Sequence, residues 1–447
     1  MDKLKKSIFI LLIFLTACAP SSTKIEQSTN DYNIGGDTNF EEFSPSEVIV
    51  VDGLEQSNKA SKETIDSIYK YNLTEDEKTV FNHILKGIER MDGEISIPIN
   101  ISEDKLRLIM RILILDNPQL YYLDREYSYN VLDEKLSSIS PKYILDEKQK
   151  TDADRNLSEY KNTLTDEKTQ YEVIDEVVSR SFSGLRFTSP VDAIDYSSYN
   201  WINNLKTTYI ETSLEGINQA MVLQLREQGV EASIIYGELI TDNFIFDKYQ
   251  SLRKDNGQFI ESVSGDTSKK VSIDTSRMYS WVIVKINNSW YHVDLQNMLA
   301  INQIGEADYE LDFSQNESNP FFLMNDSQAS ASKLFMKNEE ILGVQPMADN
   351  ENFTTNYRAD KTFNDIESSA IFTELNDKLL MQTNTNKKSS SFLLYISSTD
   401  IYESTSSMMS ILISNFSTKN KDNAMKSYQI WDLPYAQTIF LYDVIYK

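Results

Sequence analysis

The sequence predicts an α+β fold, a helix packed on an antiparallel sheet and flanked by small α+β units. Three observations carry that expectation. Residues 211–229, ETSLEGINQAMVLQLREQG, have a start signal, an apolar side and a glycine stop. Residues 278–296, MYSWVIVKINNSWYHVDLQ, alternate about an Asn-Asn pair and read as a β-hairpin. Residues 61–150 run helix, strand, helix, strand.

The N-terminal stretch MDKLKKSIFILLIFLTAC carries Lys3, Lys5 and Lys6, then an apolar run from Ile8 to Leu15. This is the charge-then-apolar order of a secretory signal peptide. The run falls short of the roughly 20 residues a membrane-spanning helix needs. Leu15-Thr16-Ala17-Cys18 resembles the lipobox of bacterial lipoproteins. The resemblance implies removal of residues 1–17 and acylation of Cys18. The acyl chains anchor by burying CH₂ groups worth about 0.8 kcal/mol each. The expectation is an exported protein, held by membrane lipid on the outer face of a bacterial cell membrane.

Bulk composition narrows the function. The 447 residues carry a formal net charge of −25, which repels nucleic acid phosphates and excludes that class of partner. Cys18 is the one cysteine, so no disulfide forms within the chain. Two histidines, His83 and His292, cannot build a Cys- or His-based metal site. No phosphate loop, calcium loop or zinc signature occurs, and no cofactor is expected.

Residues 18–60 are rich in Ser, Thr, Asn, Glu and Gly and read as a flexible tether, with VIVV at 48–51 a stray strand or docking segment. In the N-terminal unit, 61–150, Thr74 and Glu77 form a capping-box pattern ahead of Phe81, Ile84 and Ile88 on one helical face. EISIPINI alternates as a strand. Ser102 opens a second helix that stops before Pro118, and LYYLDREYSY follows as a strand. His83 lies beside the first helix's apolar stripe without partners and reads as structural. Residues 151–345 form the central domain and 346–447 a C-terminal α+β unit. In the latter, SSFLLYIS reads as strand, DIYESTSSMMSILISNFS as helix and QTIFLYDVIY as strand.

In the central domain, Thr212 and Glu215 make a capping-box pattern that starts a helix at Leu214. Ala220, Met221, Leu223 and Leu225 give it an apolar side, and Gly229 stands at the C′ position. EASIIYGEL follows as a strand. In the hairpin, a two-residue turn at Asn287-Asn288 pairs Ile286 with Ser289 and, further out, Trp281 with Asp294. Tyr279, Trp281, Ile283 and Lys285 then share a face with Trp290, His292 and Asp294, placing Tyr279 diagonal to Asp294. The opposite face is Val282, Val284, Ile286, Tyr291, Val293 and Leu295.

Glu215-Gly216, Ala220, Gly229, Gly237, Trp281 and Trp290-Tyr291-His292-Val293-Asp294 together resemble the motifs of the transglutaminase-like superfamily, papain-related enzymes with a Cys-His-Asp triad. DNPQLYYL also resembles the region preceding this domain in exported bacterial relatives. The likeness covers roughly residues 70–300. It implies that the nucleophile position falls on Leu214, the histidine position on Tyr279 and the aspartate position on Asp294. Leucine has no lone pair, and tyrosine, with a pKa near 10, is a poor base at neutral pH. The resemblance therefore implies an inactive member of the class. Trp281, Trp290 and His292 would line the groove, and the ligand would be a surface protein, a peptide or a glycan. The competing reading is a divergent hydrolase or acyl transferase with a non-cysteine nucleophile, for which Ser213, His292 and Asp294 are the candidate set. A third is a spacer whose groove Leu214 and Tyr279 fill.

Overall fold

The computed structural model describes residues 57–61, 65–164, 168–182, 185–187, 192–205, 210–239, 257–299, 319, 321–332, 334–350 and 352–354, and the backbone of four strands between 362 and 446. Cys18, the signal peptide, VIVV and the helix expected at 400–417 lie outside the described residues. The protein is a mixed α+β structure built on antiparallel sheets.

Helix α1 (Glu75–Glu89) begins where Thr74 accepts from the Glu77 N–H while the Glu77 carboxylate accepts from the Thr74 N–H at 2.8 Å. Those reciprocal bonds satisfy two otherwise orphaned N–H groups. Phe81, Ile84 and Ile88 are buried from this helix, and His83 stays half-buried beside them. The EISIPINI strand shrinks to β1 (Ile95–Ser96), since Pro98 lacks the N–H a ladder requires. Helix α2 (Glu103–Leu115) is capped by the Ser102 hydroxyl. Strands β2 (Leu123–Leu132) and β3 (Lys135–Tyr143) form a hairpin. Helices α3 (Glu147–Lys161) and α4 (Gln170–Phe182) follow. A parallel pair, β4 (Leu185–Phe187) with β5 (Ile210–Thr212), brackets the short helix α5 (Tyr199–Asn203).

Helix α6 (Leu214–Glu227) is buried on all sides from Leu214 to Arg226, not on the apolar side alone. Its polar faces are accommodated by partners: Asn218 binds Ser280, Gln219 the Leu115 carbonyl, and Arg226 Asp116. The helix ends in a Schellman motif. Val230 N–H donates to the Leu225 carbonyl at 2.9 Å and Gly229 N–H to Arg226 at 3.1 Å, with Gly229 at φ +77°.

Strands β6 (Ala232–Leu239), β7 (Gln258–Ser264), β8 (Ser268–Arg277), β9 (Tyr279–Ile286), β10 (Ser289–Val293), β11 (Phe322–Met324) and β12 (Leu334–Met336) divide between two sheets. The sheet order β11-β10-β9-β6-β12 carries α6 on one side. The order β1-β3-β2-β8-β7 draws strands from before and after residue 150. The expected division at 150 therefore does not separate packed units, because β2 pairs with β8 over Glu126–Asn130. Just past 345, Phe353 stacks against Tyr171 and meets Tyr291 edge-on, both rings of the central domain. Two short helices, α7 (Asp326–Ala331) and α8 (Asn338–Ile341), flank β12. In the C-terminal unit β13 (Thr362–Phe363), β14 (Ser390–Ile396), β15 (Asn423–Leu433) and β16 (Ala436–Tyr446) form a sheet in the order β13-β14-β16-β15.

Candidate functional site

The hairpin β9–β10 sets the geometry. Asn287 and Asn288 both take positive φ, +50° and +71°, the two-residue turn whose twist suits flanking strands. Ser289 pairs with Ile286 and the register continues to Val293 opposite Val282. Alternation puts Tyr279, Trp281 and Ile283 on one side with His292 and Asp294. Gly237 on β6 belongs to this side too: a Cβ there would meet the Trp281 ring at 2.9 Å and the Phe335 carbonyl.

The structure brings Tyr279 and Asp294 together. The Tyr279 hydroxyl donates to Asp294 Oδ1 at 2.7 Å. Asp294 also caps the helical turn at 295–299, accepting from the Asn297 N–H and side-chain amide, while its own N–H donates to the Phe321 carbonyl. Both side chains are fully buried. Burial pushes the Asp294 carboxyl up to about 7 despite the Tyr279 and Asn297 donors. Burial and the adjacent carboxylate raise the Tyr279 phenol well above its ordinary range, so it stays a neutral donor.

A second chain of bonds lies beside the first. Trp281 Nε1–H donates to His292 Nδ1 at 3.0 Å, and His292 Nε2 lies 2.8 Å from Asp326 Oδ1 on α7. Burial acts to raise the Asp326 carboxyl, but the bonds from His292 and the Ala348 N–H outweigh it and hold it below the usual carboxylate range. Nothing local in the sequence points to Asp326, which stands on another element 34 residues from His292.

Of Trp281, Trp290 and His292, the expected groove walls, Trp281 and His292 need correction. Trp281 and His292 have no exposure, because β11 pairs along the outer edge of β10 and α7 closes over the imidazole. Trp290 is half-buried with the Lys285 ammonium 5.6 Å from its ring centre.

Leu214 occupies the first turn of α6 and is buried in the hydrophobic core. One turn on, the Asn218 amide donates to the Ser280 carbonyl at 2.8 Å and to its hydroxyl at 3.0 Å. Ser280 faces α6, while its neighbour Tyr279 turns toward Asp294. Leu214 thus stands on the helix that packs behind this strand, in the same hydrophobic core as Tyr279.

The cap of α6 is Ser213 rather than Thr212. Ser213 Oγ accepts from the Gly216 N–H at 3.1 Å and donates to the Asp195 carbonyl at 2.6 Å. Thr212 Oγ1 also donates to Asp195, at 3.2 Å, and caps nothing. Glu215, read from sequence as the capping-box acid, instead accepts from Tyr236 at 2.6 Å and Thr275 at 2.7 Å and pairs with Arg125. The Arg125 guanidinium lies 4.0 Å from the centre of the Tyr196 ring. With its donor and acceptor sides both engaged, Ser213 makes no bond to His292, whose two nitrogens face Trp281 and Asp326. Among the described residues, no group of three or more His, Cys, Asp or Glu side chains is placed to hold a metal ion. No described helix is long and apolar enough to cross a membrane.

No family model matches the chain, and no curated protein matches it. Among solved structures, it is similar to the crystal structure of the periplasmic domain of TgpA from Pseudomonas aeruginosa, at 14% identity and a TM-score of 0.19. That match covers 38% of this chain and 56% of the other, so the chain spans about half the length of the structure it matches. A superposition that loose fixes neither fold family nor function.

Proposed function

We propose that this chain is an exported lipoprotein, anchored through acylated Cys18, whose transglutaminase-like core is catalytically inactive and serves as a scaffold. It holds other surfaces toward a protein, peptide or glycan at the cell surface. The observation that carries this reading is the closed pair at the aspartate position: a buried tyrosine hydroxyl donates to Asp294 where the resemblance asks for an imidazole. With Leu214 at the nucleophile position, no thiolate is available for attack on an acyl carbon. The burial of Trp281 and His292 favours the scaffold over a ligand groove at this point.

The test is turnover by the lipid-free chain, residues 19–447, on glutamine-containing peptides with and without an amine acceptor. No release of ammonia or amine is expected, from this chain or from Asp294→Ala. Turnover that disappears in Asp294→Ala would establish the divergent-enzyme reading instead. The anchor is tested separately: Cys18→Ala should release the protein from cells into the medium, and its continued membrane retention would remove the lipid from this account.

A further inference from the structure

Helix α2 turns two arginines, Arg107 and Arg111, toward one glutamate on the edge strand β7. Glu261 Oε2 lies 3.2 Å from Arg107 Nη1 and 3.5 Å from Arg111 Nη1. Both separations exceed the roughly 2.7–2.9 Å of a charge-assisted bond. The sheet supplies the rest of the cluster. Tyr127 on β2 pairs with Val271 on β8, and Val271 with Val263 on β7, so Tyr127 and Glu261 share a face. Helix α2 packs on that face, since its Glu103 accepts from Tyr129 and Lys269. The Arg111 guanidinium also lies 5.8 Å from the centre of the Phe259 ring. Arg107 Nε, Arg111 Nε, the Tyr127 hydroxyl and Glu261 Oε1 are all buried without a hydrogen-bond partner among the described residues. The Glu261 side chain is 9% exposed and Tyr127 2%. Native proteins rarely leave such groups unpaired, still less in one cluster.

Charge points the same way. Asp104, which also pairs with Arg107, is 82% exposed, so solvent screens it. Two guanidinium groups then face one buried carboxylate, an excess of one positive charge. Burial, and then the Glu261 carboxylate, raise the Tyr127 phenol far above its ordinary range, so it stays a protonated donor. We propose that this cluster binds the C-terminal carboxylate of a peptide. The carboxylate supplies the missing negative charge. Its oxygens accept from the Arg107 and Arg111 Nε–H groups and from the Tyr127 hydroxyl, a planar match to the guanidinium fork. The amide N–H of the same terminal residue donates to Glu261 Oε1, the free acceptor, and Phe259 walls the terminal side chain. A phosphate monoester brings more negative charge than the cluster lacks and no adjacent N–H. A free amino acid brings an ammonium toward the arginines. Both arginines are partly exposed, so the ligand enters past their outer ends. The site lies on the sheet that excludes β9 and β10, and it does not rest on the inactivity of the core.

The test is titration calorimetry of the full chain in detergent micelles with N-acetylalanine, a small probe that carries a carboxylate and an adjacent amide N–H. Saturable binding to a single site with a Kd of about 1 mM is expected, an affinity suited to a fragment of that size. N-acetylalaninamide, which lacks the charge, and inorganic phosphate should each bind about tenfold more weakly or worse. Arg111→Gln should weaken N-acetylalanine binding by about tenfold. Tyr127→Phe removes a hydroxyl with no partner in the protein, so it should leave the unfolding midpoint in place and weaken binding by about threefold to tenfold. That variant decides the matter should Arg111→Gln fail to fold. Absence of saturable binding to the wild-type chain overturns the site, as does unchanged affinity in Tyr127→Phe. Equal binding of the amide or of phosphate overturns its assignment to a peptide carboxylate.

Discussion

Asp116 and Asp294 are both fully buried carboxylates, and their surroundings differ in one respect. Asp116, at the C-terminal end of α2, faces a cation: Arg226 Nη2 lies 2.8 Å from its Oδ2, while Nη1 donates to the Asp116 carbonyl at 2.7 Å. Ser67, Ser233 and the Ile234 N–H fill the remaining acceptor sites. Asp294 receives neutral donors only. The first arrangement joins residues 110 apart in sequence and ties α2 to α6 and β6. The second is local to one hairpin and the turn that follows it. A buried carboxylate with a guanidinium partner is an architectural tie, whereas one with neutral partners carries the cost of its charge unbalanced.

The comparison breaks most visibly at the ion pair. Arg226→Met keeps the length and apolar character of the side-chain stem but strands the Asp116 charge in the core. It is expected to cost roughly 3–5 kcal/mol, the range for removing one partner of a buried pair. A urea-unfolding midpoint shift of that size, with the slope unchanged, would fit. A loss below about 1 kcal/mol would mean that Ser67, Ser233 and the Ile234 N–H hold Asp116 without help, and the contrast with Asp294 would collapse.

Asp294 sharpens the contrast through pH. Its folded pKa is raised, to about 7, above the roughly 3.9 of an unfolded aspartate. The sign follows: the folded state binds the proton more tightly, so the stability this group contributes is complete below about pH 4 and is lost as pH rises through about 7. At about 1.4 kcal/mol per pH unit the full swing is about 4 kcal/mol. Asp294→Asn removes the charge. Its Oδ1 still accepts from Tyr279 and the Asn297 N–H. The new amide nitrogen meets the Asn297 side chain, whose Oδ1 is buried and makes no hydrogen bond in the native structure and becomes the acceptor if that amide flips. The variant should therefore show a flat stability profile between about pH 4 and 7 and exceed the wild type above about pH 7. Parallel profiles for the two chains would remove Asp294 as the titrating group.

What the sequence reveals of this molecule is what is local. The Thr74 capping box, the Gly229 stop and the Asn287-Asn288 turn depend on residues within a few positions of each other, and each can be read directly. Helix α3 is harder to read, because its buried side is narrow: Ala153 and Leu157, one turn apart, amid a strongly polar sequence. Strand β8 hides its inward residues, Val271, Ile273 and Thr275, behind lysines and a polar flank. Its pairing with β2 joins segments about 140 residues apart, which no periodicity encodes, and the boundary placed near 150 fails for that reason. At the candidate site, alternation puts Tyr279 beside Asp294, yet the same pattern leaves Trp281 and His292 as groove walls, because α7 and β11 arrive from later in the chain. The Glu215 cluster escaped for a related reason: an acid in the first turn of a helix looks like a cap until Arg125, Tyr236 and Thr275 are seen around it.

The smallest effect separates two adjacent hydroxyls. Thr212 fits the capping-box spacing with Glu215, but the bond to the helix belongs to Ser213, one residue later. Ser213→Ala loses an N-cap bond and a bond to the Asp195 carbonyl and is expected to cost about 1 kcal/mol. Thr212→Ala loses only a 3.2 Å bond to the same carbonyl, and about half that cost is expected. Equal losses, or the reverse order, would move the cap back to Thr212 and free the Ser213 hydroxyl. That freedom matters beyond stability, because Ser213 is the residue a serine-based mechanism needs. A hydroxyl that is buried, donating to Asp195 and accepting from Gly216 is not presented for attack, so a fluorophosphonate probe should leave the wild-type chain unlabelled. Labelling at Ser213 would show that the cap opens, and with it the divergent-enzyme reading would regain its nucleophile.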